Sequence, residues 1–236
     1  MMRGDGLIHR IVENWQSRGA AYVWHKALRR SLGRWPGLKR RLLYADQRHY
    51  WTMRGGADYF AEQEGQPARS ERAQWMAARI ARLNPKSILE VGCGYGKQLF
   101  ELRTLLPEVP MVGLDFSTTQ LNQARIFLRG LSGIHLVQGD GARLPFESDA
   151  FDLVLTSAVI LHNPPPIAAR MREEVVRVGF RYAVHNEDTD VTYNRYGYDT
   201  AGWYQTRGIP LSEVGSIPVA PLAKNTQFCV ARLLAT

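Results

Sequence analysis

The sequence predicts an α/β fold: a mostly parallel sheet with helices on both faces. Three observations predict it. From about residue 68, short apolar runs alternate with stretches of helical periodicity. A glycine-rich turn, Gly92-Cys93-Gly94-Tyr95-Gly96, follows the first apolar run and opens a helical stretch. Acids stand in or just after three successive runs: Glu90, Asp115 and Asp140.

The elements follow in order. Residues 1–60 form a separate region, basic, rich in Trp and Tyr, and broken near Gly33, Pro36 and Gly37. Leu7, Ile8, Ile11, Val12 and Trp15 share one helical face. Tyr22, Val23, Trp24, Ala27, Leu28 and Leu32 continue an amphipathic pattern, with His25, Lys26, Arg29 and Arg30 interleaved. A third piece, residues 38–44, carries Lys39, Arg40 and Arg41.

Residues 61–236 read as the main domain. Ala73, Met76, Ala77, Ile80, Ala81 and Leu83 predict a helix that stops before Pro85. A strand over 87–91 precedes a helix over 96–106, and a strand over 111–115 precedes a helix over 117–128 that Ser117 can N-cap. Strands follow over 134–138 and 151–156, a helix over 167–176 and a strand over 177–185. Two last strands, 214–219 and 227–233, are joined by a short connection, which predicts an antiparallel pair.

Composition narrows the class. With 45% apolar and 22% charged residues the chain reads as globular. No apolar run approaches the ~20 residues of a membrane span, and the N-terminus lacks a secretory pattern. Cys93 and Cys229 read as reduced thiols in a cytoplasmic protein, and two isolated cysteines make no metal site. Residues 1–54 hold twelve Lys/Arg against Asp5, Glu13 and Asp46, a net charge of +9, which leaves the rest near neutral at −1.

Open parallel sheets bind ligands beyond the carboxyl ends of their strands. Gly92, Gly94 and Gly96 remove side chains where a ligand needs close backbone approach, and the following helix offers its first amides to a carboxylate. Glu90 can accept hydrogen bonds from the ligand or orient the loop. Asp115 stands about 20 residues past the loop, where an acid holds both hydroxyls of a ribose. Asp140, in Gln138-Gly139-Asp140-Gly141-Ala142, can accept from an adenine amine.

These residues carry a resemblance. Ile88-Leu89-Glu90-Val91-Gly92-Cys93-Gly94-Tyr95-Gly96 resembles the first motif of class I methyltransferases dependent on S-adenosylmethionine (SAM), and Gly113-Leu114-Asp115-Phe116-Ser117 is similar to their second. The run Gly139 to Phe146, then Phe151-Asp152-Leu153-Val154, is similar to their adenine and fourth-strand motifs. The resemblance spans roughly residues 70–180. It implies a Rossmann-like, seven-stranded sheet with the last strand antiparallel, and SAM as cofactor. It places SAM contacts at Gly92, Gly94, Asp115, Asp140 and after strand four, so Phe116, Gly141, Ala142 and Ser157 join the expected cofactor site. His49-Tyr50-Trp51, Gly55-Gly56-Ala57-Asp58-Tyr59 and the stretch Ser157 to Pro164 are also similar to segments of methylases associated with bacterial surface-sugar biosynthesis. That resemblance implies that Trp51 and Tyr59 close over the cofactor; packing of the extension onto the core is the other use for two such aromatics.

Rival classes fit less well. A short-chain NAD-dependent dehydrogenase needs Tyr-x-x-x-Lys well after the glycine loop, and Tyr22/Lys26, the only such spacing, precedes it. A pI near 9.7 suggests nucleic acid, but the basic residues sit in one extension, and Asn163-Pro164-Pro165-Pro166 has proline where an aromatic would stack on a base. A non-catalytic SAM-binding or membrane-docking protein is the third class, and the intact acid set argues against it.

Methyl transfer to a hydroxyl needs a general base near the methyl group. His162, after strand four, is the first choice and His185, after strand five, the second. Glu187 and Tyr193, on the same rim, are expected at the acceptor, with Tyr193 in an aromatic stretch that continues through Tyr196, Tyr198, Trp203 and Tyr204. The acids Glu187, Asp188 and Asp190 read as a solvated loop, with no metal. The expected acceptor is a small or lipid-linked molecule, favouring a sugar hydroxyl in polysaccharide or glycolipid assembly, with a quinone or other lipid-like molecule as runner-up. The basic extension is either a cap over the acceptor or an interfacial helix bringing the enzyme to the inner face of a membrane.

Overall fold

The computed structural model describes residues 5–31, 35–219 and 225–234. It divides into two compact units, residues 1–54 and 55–236, so the boundary lies six residues before the predicted one, between Arg54 and Gly55.

The N-terminal unit is helical. Helix α1 (Asp5–Ser31) is interrupted at Gly19, whose φ of 79° and ψ of 171° break it into two helices. Helix α2 (Pro36–Leu43) starts on a proline, which loses nothing at a position without an intrahelical partner, and α3 (Gln47–Arg54) ends the unit. The unit's core is aromatic: Tyr50 stacks edge-on against His25, Tyr44 and Trp51. The side chains of Leu7, Ile8 and Ile11, and all of Leu32 and Gly33, lie outside the described residues.

In the second unit, α4 (Ala57–Glu64) and α5 (Pro67–Arg82) precede a sheet of seven strands: β1 (Ile88–Val91), β2 (Met111–Asp115), β3 (Ile134–Gln138), β4 (Phe151–Ser157), β5 (Gly179–Asp188), β6 (Leu211–Gly215) and β7 (Thr226–Arg232). Their order is β3-β2-β1-β4-β5-β7-β6. The first five are parallel, and β7 runs antiparallel between β5 and β6. Helices α6 (Lys97–Leu105), α7 (Thr118–Phe127), α8 (Pro165–Val178) and α9 (Thr200–Gln205) complete the fold. Ser117 caps α7, accepting from the Gln120 amide as predicted.

Strand alternation sorts two cores. Ile88, Leu153, Leu155 and Val184 face α5, α6 and α7, where Met76, Ile80, Leu99, Leu102 and Leu121 are fully buried. Leu89, Val154 and Ala183 face the other way, onto Ala168, Met171 and Val175 of α8 and Tyr204 of α9. The chain winds outward from β1 to β3 and then returns to place β4 beside β1. That reversal opens the crevice beyond the carboxyl ends of β1, β2 and β4.

The largest differences from the expected boundaries are at β5 and β6. Strand β5 runs on to Asp188, so His185, Glu187 and Asp188 lie within it and not after it. The predicted strand over 214–219 is shifted: β6 is Leu211–Gly215.

Candidate functional site

The glycine loop is fixed by its own amides. Gly92 and Cys93 both donate to the Leu114 carbonyl, at 2.7 and 3.0 Å. Gly94 donates to Asp115 Oδ2 at 2.9 Å, while Asp115 Oδ1 accepts from Ser117 at 2.8 Å. With the Phe116 amide as a third donor, the carboxylate still has accepting capacity for a further one. Burial raises this carboxyl to about 6, against the lowering pull of the amides it accepts from.

The three glycines serve different ends. A Cβ on Gly92 would fall 2.5 Å from the side chain of Val159, and one on Gly96 would fall 2.7 Å from Leu128. Packing thus adds to the positive φ of 73° and 89° that already calls for glycine at these two positions. At Gly94 the nearest atom to a Cβ would be Gln120 Nε2 at 3.6 Å, so this is the glycine that leaves bare backbone. Gly141 likewise yields to packing, against Met171 and Val91.

The acids come together at adjacent strand ends. Gly139 donates to the Asp115 carbonyl, holding Asp140 beside the end of β2. Asp140 Oδ1 accepts from Ala142 at 2.9 Å, closing the turn in which the half-buried Ala142 sits. Phe116 is half-buried directly after Asp115. Glu90 takes the Leu99 amide near the start of α6, so it orients the loop's helix, but its Oε2 is buried with no partner among the described residues. Burial, reinforced by nearby Asp115, pushes its carboxyl well above the usual range. On the same sheet face, Asn186 donates to Ser157 Oγ at 3.0 Å, and its own buried Oδ1 is also without a donor. Met76 Sδ lies 3.8 Å from Ser157 Oγ, which brings α5 over this end of the sheet.

Two residues escaped the sequence reading here. Gln120 is buried beside Gly94 and also accepts from the Gly56 amide at 3.4 Å. Asn186 sits in register with Ser157 across β4 and β5. The helical period hides the one, and the polar run after residue 184, which reads as the exit from the strand, hides the other. Tyr59 packs edge-on against Tyr95 of the glycine loop, with ring centroids 6.2 Å apart. Trp51 belongs to the N-terminal unit, where its indole N–H donates to the Tyr44 hydroxyl at 3.2 Å.

The rim beyond β4 is built on a short 3₁₀ turn (Ile160–His162). His162 is half-buried there, and its Nδ1 meets the Asn194 carbonyl. A carbonyl only accepts, so Nδ1 carries the proton and Nε2 the lone pair. Burial lowers this imidazole to about 4, so it is neutral at pH 7. Tyr196 donates its amide to Leu161, and the Tyr198 hydroxyl donates to Asn163, both at 2.7 Å. These bonds tie the segment carrying the half-buried Tyr193 to the His162 turn.

His185 and Glu187 are corrected. His185 is fully buried in mid-strand, with Nδ1 2.8 Å from Thr156 Oγ1 and Nε2 2.7 Å from the Tyr204 hydroxyl. Burial lowers it to about 3, and no acceptor reaches it. Glu187 is also fully buried, accepting from Thr156 Oγ1 at 2.7 Å and from the Val159 and Leu161 amides at 3.1 to 3.2 Å. It anchors the turn that carries His162 and does not line the rim. The acid run is no solvated loop either: Asp188 and Asp190 both pair with Arg195, at 2.8 and 3.0 Å. No group of three or more His, Cys, Asp or Glu among the described residues could hold a metal ion.

Arg72 was also missed. It lies one turn before Met76 on α5, partly buried, near Tyr59, Asp188 and Glu187. Among the described residues its side chain makes no hydrogen bond and no ion pair.

Comparison with known proteins agrees with this layout. Residues 88–179 match the family described as "Methyltransferase domain". A demethylmenaquinone methyltransferase of Roseiflexus sp. (strain RS-1) is 34% identical over 111 residues, which cover 45% of this chain and 46% of that protein. A phthiotriol/phenolphthiotriol dimycocerosates methyltransferase of Mycobacterium ulcerans is 39% identical over 105 residues, covering 43% and 36%. The chain thus spans less than half the length of these curated relatives. Among solved structures, the SAM-bound magnesium protoporphyrin IX methyltransferase of Synechocystis PCC 6803 superposes with a TM-score of 0.59 at 16% identity, over 88% of this chain and 96% of that one, which establishes the shared fold.

Proposed function

We propose that this chain, whose residues 88–179 match a methyltransferase-domain family, binds SAM at the crevice beyond β1, β2 and β4 and transfers its methyl group to a small, lipid-like acceptor. The observation that carries the cofactor assignment is a set of groups with unmet hydrogen-bonding capacity or no side chain on one rim. The Gly94 backbone is bare, Asp115 has spare lone pairs, and the buried Oε2 of Glu90 and Oδ1 of Asn186 lack donors. Buried acceptors without donors are costly, and an adenosyl sulfonium brings both positive charge and N–H and O–H donors. Asp115 would hold the ribose, Asp140 and Phe116 the adenine. Bound SAM supplies the activated methyl and its leaving group.

What remains for the protein is to place the acceptor in line and receive its proton. His162 Nε2 carries a lone pair at neutral pH and stands on the acceptor rim, so it is assigned as base for a hydroxyl. His162→Ala is expected to slow turnover about 10²- to 10⁴-fold while leaving SAM affinity within about threefold. Single-turnover rates and calorimetry check both, and an unchanged rate removes His162 from the mechanism.

Relatives named for the methylation of demethylmenaquinone and of phthiotriol/phenolphthiotriol dimycocerosates support a lipid-like acceptor. A second reading, a sugar hydroxyl on a phosphate-bearing glycolipid, is favoured by Arg72, a cation near this rim with no ion-pair partner among the described residues. Incubating polar and apolar lipid extracts with the protein and isotope-labelled SAM, then locating the label by mass spectrometry, decides between them. If no label leaves SAM, the methyltransferase reading fails.

Asp115 also sets a pH dependence. Its ionised form accepts the ribose donors, and its carboxyl titrates at about 6. The protonated form dominates below that value, so SAM affinity is expected to be level above pH ~7 and to fall about tenfold per unit below pH ~5.5. Calorimetric titration between pH 4.5 and 8 tests this, and Asp115→Asn should flatten the profile.

A further inference from the structure

Helix α2 is inside out for a helix in water. Trp35, just before it, and Leu38 and Leu42 follow the i, i+3, i+7 spacing of one face. All three are exposed, at 66%, 42% and 55%, while Leu43 is buried on the other side. Trp15 and Trp24 of α1 are exposed as well. Around these apolar groups stand Lys39, Arg40 and Arg41 on α2, and Arg29 and Arg30 in the last turn of α1. Among the described residues, no helix is long and apolar enough to cross a membrane.

We propose that this face of the N-terminal unit docks on the surface of an anionic lipid bilayer. Isolated exposed apolar residues are ordinary, but an outward stripe of Trp and Leu flanked by cations marks an interaction site. Two features select lipid over other occupants. Indoles favour the boundary between headgroups and acyl chains, where an apolar body and an N–H are both satisfied. The charge, +9 over residues 1–54, complements an anionic headgroup layer, and Lys and Arg stems reach up to it while the stripe inserts. A nucleic-acid groove would use the cations but has no place for Trp35, Leu38 and Leu42.

The test uses the full chain and vesicles of phosphatidylcholine, alone or with a third of phosphatidylglycerol. Co-sedimentation is expected with the anionic vesicles and at least about tenfold weaker with the neutral ones or in 0.5 M salt. Tryptophan emission should shift to the blue on binding. The triple variant Trp35→Ser, Leu38→Ser, Leu42→Ser changes only exposed groups. It should keep SAM affinity and lose vesicle binding about tenfold or more. The proposal is overturned if the full chain sediments with neither vesicle, or binds both equally. It is also overturned if the triple variant binds as the parent does. Because SAM affinity is read separately, failure of docking leaves the methyltransferase reading standing, and the reverse holds too.

Discussion

Asp115→Ala is expected to weaken SAM binding at least about 100-fold. A carboxylate accepting two ribose hydroxyls makes charge-assisted bonds of about 1.5–3 kcal/mol each, and the substitution removes both. It also frees the Gly94 and Ser117 amides that Asp115 now holds at 2.9 and 2.8 Å, so the bare loop loses its fixed shape. Destabilisation should be smaller than the binding loss suggests. Burial already penalises this carboxylate, which offsets part of the cost of the amides that its removal leaves unpaired. Calorimetry against SAM, with a thermal melt of the ligand-free protein, separates the two effects. Near-native affinity in a folded variant would overturn the site assignment.

Much of this site was legible because its signals are local. A glycine run after an apolar strand, an acid at the next strand's end and a serine before a helix are each set by neighbours in sequence. The strand order and the acids' convergence then follow from chain winding. What was not legible depends on tertiary contacts. Gly92 and Gly96 look like open glycines in sequence, yet Val159 and Leu128 crowd the place of a side chain there, in addition to the positive φ of both. Polar His185, Asn186, Glu187 and Asp188 read as the exit from β5. They continue the strand because Thr156, Tyr204, Ser157 and Arg195 satisfy their side chains. The extension posed the opposite difficulty. Amphipathic spacing says that a helix has an apolar side, not which side faces water.

The buried polar chain behind the site carries the other large expected effect. Glu187 is acceptor-only when ionised, so Thr156 donates to it. The Thr156 oxygen then accepts from His185 Nδ1–H, and His185 Nε2 accepts from the Tyr204 hydroxyl. Donation runs one way from α9 through β5 and β4 to Glu187, which also accepts from the other side, from the amides of Val159 and Leu161. Those amides place Val159 against Gly92 and raise the turn that bears His162. Glu187→Ala would leave the Thr156 hydroxyl and both amides unpaired in a dry interior, at about 1–3 kcal/mol each. The expected loss is roughly 3–5 kcal/mol, a fall in Tm of roughly 6–20 °C for a chain of this size. Glu187→Gln keeps one acceptor oxygen but turns an NH₂ toward donors, so it should recover only part of the stability. Since the turn holds both Val159 and His162, the glutamine variant should weaken SAM binding and slow turnover together, unlike His162→Ala, which touches turnover alone. Melting curves with paired binding and rate measurements test this. A Glu187→Ala protein that melts within about 2 °C of the parent would show that the chain of bonds does not hold the turn.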